Sequence, residues 1–471
     1  MLDILPLLQC LQPEIGATSV RQLSRIALAM LAMTGRVTML GLSRWAGKGG
    51  SSRTVQRFFH TALPWATLFW IFFRQHLYRS SEVYLLAGDE VVVTKAGKKT
   101  YGLERFFSSL YGKSLTGLSF FTLSLVSVQQ KRSFPLRVEQ VIKSDREKLS
   151  QGSENTESSP PKGQVKRPKA SRSKNQTVGT ALDPIPKNRG GRPVGSKNRN
   201  KNDVPLTPEL LQIKSWIESL LKQLGGTLPL TYLLLDGHFG NNASLQMARR
   251  LNLHLISKLR YDSALYIPYQ NPDPDRKCRR KYGDKLDLRN MPPQYLKNST
   301  IDGPILTHIY QAQLLHEEFA QPLNVVVLVK THQSTNARHH VILFTSDPDL
   351  PYDKLINFYS LRFQIEFNFR DAKQFWGLED FMNVSQTAVT NAANLSFFMV
   401  NLSHHLLGTG PGKHCGDSVL DLKAICRGSK YVAEIIKLLP EKPEPVLLAQ
   451  IFQRISHLGR IHRPPACSNL S

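Results

Sequence analysis

The chain has 471 residues and an ordinary apolar share of 41%, enough to build two or three packed domains. Its formal net charge of +25 says little about fold but implies a polyanionic partner, nucleic acid first and an anionic membrane surface second. The longest apolar runs, Ile26–Met33 and Leu68–Phe73, fall far short of the roughly 20 residues a membrane-spanning helix needs, so no membrane partner is expected.

Cys10, Cys278, Cys415, Cys426 and Cys467 are odd in number and scattered, with no CxxC and no Cys/His zinc spacing. That excludes a disulfide framework and points to a reducing cytoplasm. The N-terminus, with Asp3 and Pro6 and no basic leader, does not read as a signal peptide.

Residues 1–78 read as a helical N-terminal domain. Thr18 to Thr34 is amphipathic and Gly35 closes it. A short helix over Thr38–Ala46 leads into the turn Gly47-Lys-Gly-Gly-Ser51. Ser51 or Ser52 caps the next helix, Arg53 to about Thr61. There Val55, Phe58 and Phe59 face inward, while Arg53 and Arg57 project together at i, i+4. Helix, glycine turn and basic helix match a helix-turn-helix outline, which makes this a DNA-binding domain. The alternative is a plain helical hairpin packed on its neighbour.

Residues 80–144 change period. Val83–Asp89 is an apolar run ending in an acid, and Leu118–Val128 and Phe134–Val141 come next as further strands of a three-strand meander. Residues 145–205 are poor in apolar side chains and hold 14 basic against 4 acidic groups between Arg146 and Lys201, so this insertion is expected to be disordered when free. Within it, Lys187-Asn-Arg189-Gly-Gly-Arg192-Pro-Val-Gly-Ser-Lys197 resembles an AT-hook, an Arg-Pro core for a narrow A·T minor groove. The alternative is a flexible basic linker that binds phosphates without sequence preference.

Residues 206–260 read as helix, strand, helix, strand: Pro208–Gly225, Leu230–Asp236, Asn242–Leu251 and His254–Leu259. Residues 261–350 form a β-rich insertion with a basic loop, Arg276–Gly283, and strands at Leu323–Val329 and His340–Thr345. One long helix spans about Asp353 to Trp376 within residues 351–384. Residues 385–471 are a C-terminal helical region whose tail, from Arg463, is Pro-rich.

The long helix is the most informative segment. Arg362, Glu366 and Lys373 stand three, seven and fourteen residues after Tyr359. At about 100° per residue they share an arc of about 60°. Beside them runs an apolar stripe of Phe358, Leu361, Ile365, Phe369, Ala372 and Trp376. Such a face suits a metal-bound phosphate, with Glu for the cation and Arg and Lys for phosphate oxygens. It also fits an ordinary solvated charged face. Asp89 and Asp236 each end an apolar strand, where a rigid scaffold holds a carboxylate within reach of ligand. Each alone is more often a turn residue. Three acids without Cys or His suit a hard cation, Mg²⁺ or Mn²⁺. Two such ions about 4 Å apart serve an in-line phosphoryl displacement. His238 and the doublets at His339 and His404 read as structural, with His238 the one close to an acid.

These residues carry a resemblance. Over roughly residues 80–400 the chain resembles the DDE transposases of bacterial insertion sequences, in the broad IS4-type group. Tyr359, Arg362, Glu366 and Lys373 match the signature Tyr-x2-Arg-x3-Glu-x6-Lys in full. Asp89, with Glu90 and Thr94-Lys95 after it, is similar to the family's first acidic strand, and Asp236-Gly-His-Phe-Gly to the second. Lys258-Leu-Arg260 is also similar. The resemblance implies an α/β fold with an RNase H-like mixed sheet core, the helical N-terminal domain, a β-rich insertion and the disordered basic insertion. It implies that Asp89, Asp236 and Glu366 ligate two Mg²⁺ (or Mn²⁺) ions, and that Tyr359, Arg362 and Lys373 contact DNA phosphates. The activity implied is cut-and-paste transposition: cleavage at terminal inverted repeats, then attack of the freed 3′-OH on target DNA. It also implies a dimer in the DNA complex and a place in the bacterial nucleoid. Two rival readings stand beside it, an RNase H-like nuclease and a catalytically inactive DNA-binding regulator.

Overall fold

In the computed structural model, residues 3–108, 112–142, 200–269, 281–409, 418–456 and 458–462 are described. Arg189, Arg192 and Lys197 of the AT-hook-like segment lie outside them, as do residues 270–280 of the basic loop and the tail from Arg463.

The N-terminal segment divides into α1 (Leu5–Leu8), α2 (Gln12–Ala32), α3 (Met39–Ala46), α4 (Ser52–Phe59) and α5 (Trp65–His76). The start signals sit where short hydroxyl side chains supply an acceptor for an orphan amide. The Thr38 side chain accepts from Gly41 N and the Ser51 side chain from Thr54 N. Val55, Phe58 and Phe59 are buried, and Arg53 and Arg57 are exposed on the opposite face of α4.

The first strands are β1 (Tyr84–Thr94), β2 (Glu104–Ser108), β3 (Lys113–Ser127) and β4 (Arg132–Val141). This region therefore has four strands rather than three, and β1 does not end at Asp89. It runs on through Val91 and Val93, both buried, because β3 pairs with its whole length from Tyr84↔Ser127 to Thr94↔Gly117. Then come α6 (Pro208–Leu224), β5 (Tyr232–Leu234), α7 (Asn242–Arg250) and β6 (His254–Lys258). The β-rich stretch adds β7 (Leu265–Pro268), β8 (Tyr282–Lys285), β9 (Leu296–Asp302), β10 (Ile305–His316), β11 (Leu323–His332) and β12 (Arg338–Thr345).

Among the described residues, twelve strands make one mixed sheet in the order β2-β3-β1-β5-β6-β12-β11-β10-β7-β8, with β4 beside β3 and β9 beside β10. The first strands pair antiparallel, β1, β5 and β6 run parallel, and β12 joins β6 antiparallel. A mixed sheet with helices is the α/β class the sequence implies. The β-rich stretch is continuous with the rest of the sheet through β6 and β12.

The helix expected from Asp353 to Trp376 is two helices, α8 (Tyr352–Leu361) and α9 (Gln364–Gln374). At the junction Arg362 N, Phe363 N, Ile365 N and Glu366 N donate to the carbonyls of Tyr359, Ser360, Arg362 and Phe363. Bonds to the third residue back tighten the turn to 3₁₀ geometry and rotate α9 relative to α8. The single 100° wheel therefore does not hold across Arg362.

The C-terminal helices are α10 (Gln386–Thr409), α11 (Val419–Leu438) and α12 (Pro445–Ser456). They complete the core of the N-terminal ones. Trp65 Nε1 donates to Asn391 Oδ1 at 2.7 Å, and Asn391 Nδ2 donates to Phe59 O at 2.8 Å and Thr61 O at 2.7 Å. Phe398 packs against Phe69 and Phe72 with ring centroids at 5.8 and 5.1 Å. Lys423 Nζ donates to Met30 O at 2.6 Å.

Candidate active site

Register decides which side chains meet. Leu86 and Ala87 pair with Leu233 and Leu234, which pair in turn with Leu255 and Ile256. Carried forward two residues, this register sets Asp89, Asp236 and Lys258 in one row. Strand side chains alternate between faces, so the three share a face with Ala87, Leu234 and Ile256. That face is the one that buries Leu355, Phe358, Leu361 and Ile365 of α8 and α9. Each such burial stabilises by roughly 1.5–3 kcal/mol, and together they seat Tyr359, Arg362 and Glu366 over the two strand acids.

Asp89 is mid-strand, yet it lies beyond the last paired residue of β5. Asp89 is left open on that side because β5 is short and pairs no further than Ala87↔Leu234. Asp236 lies just past the end of β5. Its Oδ1 accepts from His238 N at 3.1 Å, and its carbonyl accepts from Ser257 Oγ at 2.7 Å. The turn it caps, Gly237–Phe239, is pressed against β6: a Cβ on Gly240 would lie 2.1 Å from Lys258 O.

Arg362 bridges the acids. Its Nη1 donates to Asp89 Oδ2 at 2.7 Å and its Nη2 to Glu366 Oε1 at 3.0 Å, with side chains 15, 19 and 40% exposed for Arg362, Asp89 and Glu366. Asp89 Oδ1 accepts from Glu90 N at 2.8 Å. Burial nonetheless pushes the Asp89 carboxyl up to about 6, Arg362 and the Glu90 amide pull it back, and Asp236 and Glu366 push it further up. Burial also raises the Tyr359 phenol, against the pull of Arg362. Burial disfavours the Arg362 charge, but Asp89, Tyr359 and Glu366 outweigh it and hold the guanidinium above its ordinary value.

The other expected site residues are spread around this centre. Lys373 Nζ donates to Val92 O at 2.9 Å and lies 3.4 Å from Glu379, so it braces α9 against β1. Lys258 shares the acid row. Arg260 is exposed and pairs with Asp262 at 3.2 Å. His238 is exposed, 3.9 Å from Glu209. Arg53 and Arg57 lie on α4, outside the acid cluster. Sequence reasoning missed two contacts. One is Arg362 as partner of the acids, although its spacing of four from Glu366 carried the signal. The other is Lys95, whose Nζ donates to Glu379 O and Phe381 O at 2.9 Å each and lies over the Phe381 ring. That contact fixes the loop after α9, and no local pattern reveals it.

Among the described residues, no three His, Cys, Asp or Glu side chains close tightly enough around one point to hold a metal ion. The Arg362 guanidinium stands between Asp89 and Glu366, supplying the positive charge this cluster needs. By donor chemistry the set still fits a hard cation, since all its ligands are carboxylates.

The family model of the DDE superfamily endonucleases matches residues 6–313. The chain belongs to that family. The match takes in Asp89 and Asp236 of this endonuclease and ends before Glu366. No curated protein matches the chain. Among solved structures, the endonuclease is similar to the piggyBac transposase in a synaptic complex with hairpin DNA. Identity is 10% and the TM-score 0.35, over 93% of this chain and 76% of that one. No helix among its described residues is long and apolar enough to cross a membrane.

Proposed function

We propose that the chain is the transposase of a bacterial insertion sequence, cleaving DNA at terminal inverted repeats and joining the freed 3′ end to target DNA. One observation carries the reading: in a DDE superfamily endonuclease, Asp89 and Asp236 share a row and face the helix that carries Glu366, and the charges of Asp236 and Glu366 act on Asp89. The strand arrangement, three antiparallel strands and then two parallel ones, supports an RNase H-like core.

Asp89, Asp236 and Glu366 would hold Mg²⁺ or Mn²⁺, and the bound ions would polarise the scissile phosphate and lower the pKa of water. The chain's own residues do the rest. With a cation held by the acids, Arg362 would no longer be needed to neutralise them, and its fork would suit a phosphate. Tyr359 lies beside it and offers a hydroxyl to the same strand. Lys373 fixes α9 on β1 and so sets the position of Glu366. Lys258 and Arg260 extend the basic surface from the acid row. Arg53 and Arg57 on α4 suit the groove of an end sequence, and Arg189, Arg192 and Lys197 suit an adjoining A·T-rich minor groove. Two ends must be brought together, which calls for a dimer on DNA.

The test uses duplexes carrying the inverted repeats that flank the gene. Asp89→Asn, Asp236→Asn and Glu366→Gln are each expected to lower Mg²⁺-dependent strand cleavage at least 10³-fold while end binding stays within a few-fold. A variant that still cleaves removes its residue from the site. Wild-type cleavage without preference for the repeats favours the plain nuclease instead.

A further inference from the structure

The strands of the β-rich stretch continue past the row of acids. β6 stops at Lys258, whose partner on β12 is Leu343. Because β12 is antiparallel to β6, its residues from Ile342 back to Arg338 lie beyond that end, and β11 and β10 go with them. This places a β arm above the same sheet edge at which Asp89 and Asp236 stand.

Alternation assigns the arm's two faces. Val326 and Leu343 belong to the cluster under α8, and Ile309, Leu328 and Val341 form the next row of that face. The intervening row, Val327 and Ile342, packs into the other core, as does Val329. The next row on the α8 face is therefore Thr300, Thr307, Lys330 and His339, one residue from each of four strands. It stands four residues beyond Leu343, on the order of 14 Å at about 3.4 Å per residue. Lys330 and His339 sit directly opposite each other and are exposed. Among the described residues neither side chain makes a hydrogen bond or an ion pair. Two basic groups facing across strands do nothing for folding. Among the described residues of β9 to β12, Asp302, opposite Ile305 at the tip, is the one acid on this face; Asp347, bonded to Tyr232, lies at its far end. His332 adds a third basic group opposite Ile305.

We infer that this row is a backbone-contact track for double-stranded DNA: Lys330 and His339, flanked by the Thr307 and Thr300 hydroxyls, take phosphates of the duplex leaving the acid row past Lys258. The inference rests on the transposase reading for its ligand but not on the chemistry. The opposite face carries Arg338, which is engaged with Arg289 O at 3.1 Å, and gives an internal control.

The experiment measures binding of a 30-bp duplex of arbitrary sequence in EDTA across a salt series, with melting curves to confirm folding. Lys330→Gln is expected to weaken binding several-fold and to reduce the slope of log K against log salt by about one, the share of a single phosphate contact. Arg338→Gln is expected to leave the slope unchanged. A photocrosslinker on Thr307→Cys should capture the duplex, and one on His308→Cys, facing the other way, should not. An unchanged slope in Lys330→Gln, an equal loss in Arg338→Gln, or capture from His308→Cys alone overturns the track. Because no cleavage is measured, intact binding with no cleavage of any substrate would sink the functional reading and leave the track standing.

Discussion

Arg362 donates to Asp89 Oδ2 at 2.7 Å across 273 residues of sequence, and with its other terminal nitrogen to Glu366 at 3.0 Å. In the metal-free protein one guanidinium therefore neutralises two of the three acids. Arg362→Gln removes charge-assisted bonds worth about 1.5–3 kcal/mol each and leaves two carboxylates facing each other. The variant should melt lower than wild type in EDTA and gain more from added Mn²⁺, since the ion no longer competes with the arginine. Identical melting curves and ion responses would count against a shared site.

The pH dependence of the metal-free protein tests the same cluster. Asp89 titrates at about 6 in the folded chain against an ordinary 3.8. A raised carboxyl pKa means the folded state holds the proton longer, so the contribution of Asp89 to stability is greatest below about 4, falls between about 4 and 6, and is level above. At about 1.4 kcal/mol per pKa unit the loss is roughly 3 kcal/mol at most. Asp89→Asn, which cannot ionise and still accepts from Arg362, should abolish that slope and be the more stable protein at pH 7 in EDTA. Chemical denaturation at pH 4.5 and pH 7 measures it.

Gly240 and Gly237 make a paired test of how the Asp236 turn is held. A Cβ on Gly240 would lie 2.1 Å from Lys258 O, whereas one on Gly237 would sit 3.7 Å away in ordinary contact. Gly240→Ala should cost about 1–3 kcal/mol by overpacking and shift Asp236, lowering cleavage on the order of 10²-fold. Gly237→Ala should be close to wild type in both respects. Equal behaviour would mean the turn moves freely.

Asn391 is 1% exposed and ties Trp65, Phe59 and Thr61 to α10. Asn391→Ala leaves two buried polar groups, Trp65 Nε1 and Phe59 O, without their partner, at about 1–3 kcal/mol each. The expected loss is on the order of 3–5 kcal/mol in denaturant unfolding, with the N-terminal and C-terminal helices unfolding together. A two-step transition would instead mean that the N-terminal helices fold alone.

What the sequence made legible was local. Ser51 announces a helix start because a cap acts within three residues. The apolar stripe through Phe358, Leu361 and Ile365 marked a buried face for the same reason. The acids were recognisable by type and motif, but their meeting depends on the register between β1 and β5, which only pairing sets. Asp89 was expected at a strand end because the apolar run before it is strong; that β3 holds the next five residues in strand is a fact about β3. The turn at Arg362 and Phe363 left no mark, since neither residue breaks helices. The partnership of Asn391 with Phe59 and Trp65 spans more than 320 residues and has no signature in either segment.

That last partnership bears on synthesis. The helices that carry Arg53 and Arg57 emerge from the ribosome first, but the residues that close their core emerge near the end. Until α10 appears, Phe69 and Phe72 of α5 lack their partner Phe398, and that apolar side is a natural client for chaperones. A product cut short by an early stop or a frameshift before residue 386 is then expected to be insoluble rather than a stable fragment that occupies DNA. Any inhibitor made from this gene by truncation would have to retain α10.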